Sequence, residues 1–83
     1  RTNLNGANIL DAGCGEGSHL GHVIGSLNAR TGNILQGVGV DISKEGILSA
    51  SKGYFGIIWC VADLANLPFM DRQFDLILNI LSP

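Results

Sequence analysis

A chain of 83 residues makes at most one small domain, and 46% hydrophobic against 14% charged residues describes a packed globular segment rather than a disordered one. Five basic residues and a net charge of -2 exclude a phosphate-tracking surface, so any RNA substrate must be gripped by other sequence. Cys14 and Cys60 lie far apart without a CxxC pair, which leaves no metal site and no disulfide framework to expect, and favours a reduced, cytoplasmic setting.

The apolar runs are far shorter than the roughly 20 residues of a membrane span, and the polar Arg1-Thr2-Asn3 start does not read as a signal peptide, so a soluble chain is expected. It begins without methionine and stops at Pro83 directly after an apolar run, as part of a larger protein would. Residues 1–83 are therefore expected to be one partial domain. The high apolar content also suggests strands buried on both faces.

Residues 7–11 predict a first strand, which runs into Asp11-Ala12-Gly13-Cys14-Gly15-Glu16-Gly17. Three alternating glycines permit positive φ and let a ligand approach the main chain, as a sharp turn from strand to helix requires. From about Ser18 the period changes to Leu20, Val23, Ile24 and Leu27, one face of a helix that Thr31-Gly32-Asn33 ends. A second strand follows at 36–41, where Gly37 and Gly39 leave room for close backbone approach. Ser43 is placed to cap a short helix facing inward with Ile47, Leu48 and Ser51 and closed by Gly53.

Residues 57–61, Ile-Ile-Trp-Cys-Val, predict a third strand. A loop from 62 to about 72 follows, containing Pro68 and room for one helical turn, before a fourth strand from 74 to about 80. This alternation predicts an α/β, Rossmann-like parallel sheet with right-handed crossovers and strand order 3-2-1-4. The order reverses between strands 1 and 4, and a ligand crevice forms beyond the carboxyl ends of the strands at such a switch point. Asp11, Asp41, Asp63 and Asn79 each fall at one of those ends, which argues for a single site.

Asp11 can meet an ammonium group of a ligand or order the turn, and Gly13 and Gly15 can line the same side. Cys14 is expected to offer its backbone; no base is paired with it in sequence, which argues against a nucleophile. Asp41 can accept both hydroxyls of a ribose or cap the next helix, and Ile42 can wall an adenine. Asp63, with Ala62 and Leu64, can read the adenine edge or merely start a turn. Asn79 can orient an acceptor base or satisfy loop amides. His19 and His22 are one helical turn apart without a third ligand and read as solvent-facing. Trp59, Phe69 and Phe74 read as core, and Asp71-Arg72-Gln73 as a solvated turn.

A dinucleotide fingerprint needs glycine at 18, where this chain has Ser18, and that weighs against the nicotinamide-dependent oxidoreductase alternative. With GVGVDIS at 37–43, VADLANLPFMDRQFD at 61–75 and LNILSP at 78–83, the turn resembles class I S-adenosylmethionine-dependent methyltransferases across nearly the whole chain. The last two stretches look most like the 23S ribosomal RNA guanine-N1 methyltransferases, including the related macrolide-resistance methyltransferases. A small-molecule methyltransferase and a non-catalytic fragment are the other readings. The resemblance implies an S-adenosylmethionine pocket at Asp11, Gly13, Cys14, Gly15, Asp41, Ile42, Asp63 and Leu64, an acceptor side at Asn79, and ribosomal RNA as the partner. It also implies a zinc domain and further strands that these residues do not contain. The open side of strand 4 is expected to self-associate.

Overall fold

The computed structural model describes residues 6–63 and 74–78. Six elements alternate in chain order: β1 (Asn8–Ala12), α1 (Ser18–Thr31), β2 (Gln36–Asp41), α2 (Lys44–Gly53), β3 (Ile57–Val61) and β4 (Leu76–Leu78). The strands form one parallel sheet in the order β3-β2-β1-β4, as the alternation predicts. β1 is shifted one residue from its expected range, and β4 covers the middle of the expected fourth strand; residues 79 and 80 lie outside the described residues. Pro68, Phe69 and the 71–73 turn also lie outside them.

Each helix end follows from its sequence. Gly32, with φ 71°, caps α1 and donates to the carbonyl of Asn28 at 3.0 Å. Asn28 in turn accepts from the Leu35 amide at 2.9 Å, tying the helix exit to the start of β2. At α2 the Ser43 hydroxyl accepts from the Gly46 amide at 3.2 Å, the expected cap.

The inward face of α2 differs from expectation. Ile47 and Ala50 are the buried pair, while Leu48 and Ser51 are exposed. Ala50 lies against Gly17, where a Cβ would come within 2.8 Å of it, and Ser51 turns its hydroxyl back to the Leu48 carbonyl at 2.8 Å. Gly53 is the last helical residue, and Tyr54 caps the helix through its amide to Ala50.

Ala7, Ile9, Leu20, Ile24 and Leu35 form the core, with Leu27, Ile57, Trp59 and Leu78 packed on it. The space at Gly37 and Gly39 is taken by side chains rather than backbone: Ile24 and Ile57 abut Gly37, and the Trp59 ring lies over Gly39. Burial on both faces holds only near the sheet centre. Along the row Ile77, Leu10, Val38, Ile58, Leu10 is 3% exposed, whereas Ile77 and Ile58 on the outer strands are 44% and 64% exposed.

Candidate cofactor site

β1 delivers Asp11, fully buried, into a turn whose glycines all adopt positive φ: 90° at Gly13, 60° at Gly15 and 88° at Gly17. A Cβ atom is strained in that region, so the repeated glycine is a backbone requirement. The amides of Gly13 and Cys14 both donate to the Val40 carbonyl, at 2.8 and 2.9 Å, which binds the turn to the end of β2. Gly17 donates to the Cys14 carbonyl at 3.1 Å and opens α1 without a side-chain cap.

Asp41 closes the arrangement from the neighbouring strand. One carboxylate oxygen accepts from the Gly15 amide at 2.8 Å and the other from the Ser43 amide at 2.8 Å. The carboxylate therefore clasps the glycine turn to the start of α2, a double role that neither expected function includes. Each oxygen retains a further lone pair for a ligand hydroxyl. The main-chain carbonyl of Asp41 accepts from Ala62 at 3.1 Å, placing the exposed Asp63 one residue beyond that joint.

Five of the expected residues, Asp11, Gly13, Cys14, Gly15 and Asp41, thus converge at the carboxyl ends of β1 and β2. Ile42 follows Asp41 directly and is 71% exposed. Leu64 and Asn79 lie outside the described residues. His19 and His22 face solvent, as expected of them. Among the described residues no cluster of three or more His, Cys, Asp or Glu could hold a metal.

Burial pushes the Cys14 thiol up to about 12, and the nearby Asp11, Asp41 and Glu16 carboxylates add to it while a backbone hydrogen bond opposes. The thiol thus stays protonated near neutral pH and is a poor nucleophile.

The turn fits a ligand that approaches main chain. A Cβ on Gly15 would meet nothing within 4 Å, so its outer side is open, whereas the inner side is tight: a Cβ on Gly46 would lie 2.9 Å from the Gly15 carbonyl oxygen. Gly46 packs against the turn, a contact that sequence reasoning missed. Its signal was a glycine inside a helix, where the residue is otherwise unfavourable by about 1 kcal/mol relative to alanine.

Residues 9–82 match the family model described as a methyltransferase domain. The chain is 55% identical over 75 residues to YxjB of Bacillus subtilis (strain 168), provisionally named a 23S rRNA (guanine-N(1)-)-methyltransferase, covering 90% of this chain and 26% of that protein. A TehB-like SAM-dependent methyltransferase from Corynebacterium glutamicum superposes with a TM-score of 0.67 at 33% identity, over 88% of this chain and 36% of that one. The plantazolicin methyltransferase BpumL, solved in complex with SAH and a pentazolic desmethylPZN analog, gives 0.70 at 27% identity, over 86% of this chain and 26% of that one.

Proposed function

This chain belongs to the methyltransferase-domain family and has the class I S-adenosylmethionine-dependent fold, and from that premise we propose that it is the cofactor-binding part of an enzyme methylating N1 of a guanine in 23S ribosomal RNA. The observation that carries the cofactor half is the glycine turn clasped by Asp41 at the switch point of the sheet. What supports the RNA half is the 55% identity to YxjB, a likeness that spans about a quarter of that protein.

When bound, S-adenosylmethionine supplies a sulfonium methyl for in-line transfer to a ring nitrogen. Gly13, Cys14 and Gly15 approach its methionine end with main chain, and Asp11, fully buried and so withdrawn from the expected contact with the ammonium, orders the turn. Asp41 accepts from the ribose hydroxyls with the lone pairs its two amides leave open. Ile42 walls the adenine, and Asp63 with Leu64 reads its edge. Asn79 orients the acceptor base. The roles of Leu64 and Asn79 rest on their place in the sequence. Alignment and exclusion of water do the catalytic work, guanine N1 gives up its proton to an acceptor that none of these residues supplies, SAH departs, and no covalent intermediate on the chain is needed. A ribosomal substrate implies a cytoplasmic site of action.

Two measurements on the intact protein test this. Isothermal titration should give S-adenosylhomocysteine (SAH) binding and no heat with NAD; a preference for NAD refutes the cofactor assignment. Incubation with unmodified 23S ribosomal RNA and labelled cofactor, followed by nucleoside mass spectrometry, should yield 1-methylguanosine. Methylation of another atom, or only of small molecules, refutes the acceptor while leaving the cofactor intact.

A further inference from the structure

We propose that Trp59 is a positioning residue for the cofactor turn, setting its geometry through Gly17, the N-cap of α1, without touching the ligand. The inference rests on the cofactor reading above. Trp59 pairs in register with Gly39, and the absent side chain at Gly39 lets the indole lie across β2. The ring reaches the glycine turn: a Cβ on Gly17 would lie 2.6 Å from Trp59 Cη2 and 2.8 Å from Ala50 Cβ. Indole and α2 together therefore form the seat of Gly17.

That seat is oriented, not merely filled. Trp59 Nε1 donates to the Tyr54 carbonyl at 3.0 Å, fixing the ring plane against the end of α2. The Tyr54 ring, 6.2 Å from the indole and tilted 54°, lies on Gly21, one turn further along α1. Two aromatic rings thus rest on Gly17 and Gly21, and both glycines are needed for them to do so. Gly17 is hydrogen-bonded to Cys14 and ends the turn that begins after Asp11. Any movement of its seat is passed to the amides of residues 13–17, and misplacement of a binding group by about 1 Å can cost about 100-fold.

The test uses the intact protein with Trp59→Leu and Trp59→Phe. Leucine leaves space under Gly17; phenylalanine keeps a ring there without the Nε1 donor. Trp59→Leu is expected to weaken SAH binding about 10- to 100-fold and to raise KM for S-adenosylmethionine alike, with kcat at saturation within about threefold. Trp59→Phe, which keeps a ring but not the donor that orients it, should restore part of that affinity. If Trp59 serves folding alone, both variants lower Tm while the folded protein binds SAH with unchanged Kd, and the inference is overturned.

Should Trp59→Leu fail to fold, 5-fluorotryptophan labelling supplies the reading. The 19F resonance of Trp59, identified by its loss in Trp59→Phe, is expected to shift on addition of SAH. A resonance that ignores the ligand overturns the inference. No SAH binding by the unaltered protein would overturn the cofactor assignment itself, an outcome separate from both.

Discussion

Replacing Asp41 by alanine removes both halves of the clasp at once, and the structure sets the size of the effect. Two backbone amides, Gly15 and Ser43, each donate to this carboxylate at 2.8 Å. A hydrogen bond to a charged group contributes about 1.5–3 kcal/mol, and the partly buried Gly15 bond should lie within that range. The Ser43 bond is exposed, and its amide recovers water when the carboxylate is lost, so about 0.5–1 kcal/mol is reasonable there. The sum is a loss of about 2–4 kcal/mol in unfolding free energy without ligand. SAH affinity should fall about 100-fold or more, because the ribose acceptors and the fixed turn disappear together. Asp41→Asn should be milder. Its single carbonyl oxygen can serve Gly15, while its NH2 group would face the exposed Ser43 amide and leave that donor to water. Urea unfolding with and without SAH measures both quantities. Ligand-free stability of Asp41→Ala within about 0.5 kcal/mol of the unaltered protein would refute the clasp, whatever happened to binding.

Four further outcomes follow from the same structure. The Cys14 thiol is raised from 9.0 to about 12, so between those values the folded chain holds a proton that the unfolded chain has released. Stability from this source is complete below pH 9 and declines as pH rises through 12; Cys14→Ala should flatten that decline in pH-dependent urea melts. At pH 8 iodoacetamide should label the less buried Cys60 well before Cys14, as peptide mass spectrometry would reveal. Gly46→Ala should lower Tm and SAH affinity despite alanine's helix preference, since its Cβ would press on the Gly15 carbonyl at 2.9 Å; a stabilised variant refutes that steric account. The 83-residue chain on its own should self-associate through the edge carrying Leu76 and Ile77, which are 46% and 44% exposed, and Ile77→Lys should reduce this in light scattering; a monomer at high concentration contradicts it.

Much of the fold was legible because its signals are local. The switch from a strand period to Leu20, Ile24 and Leu27, the Gly32 stop, the Ser43 cap and the β-branched runs each mark one element, and their alternation leaves few topologies open. The phased aspartates were legible for the same reason, since Asp11, Asp41 and Asp63 lie within two residues of the carboxyl ends of β1, β2 and β3. Less visible was what fills the space between elements. Ala50 rather than Leu48 and Ser51 joins Ile47 on the buried face of α2, and helical periodicity alone does not register which neighbours that face meets.

The glycines divide in the same way. Gly13, Gly15 and Gly17 announce a turn by spacing alone, because positive φ is a property of the residue itself. Gly17 has a second reason to be glycine, shared with Gly21, Gly39 and Gly46: an indole, a phenol ring or a carbonyl stands where Cβ would be. Sequence by itself thus determined the element order, the parallel sheet and the end of it at which the aspartates gather. Only the tertiary structure decided that Asp41 clasps the turn and that Trp59 seats it, because both acts join residues more than twenty positions apart, where local propensity carries no information and close packing decides.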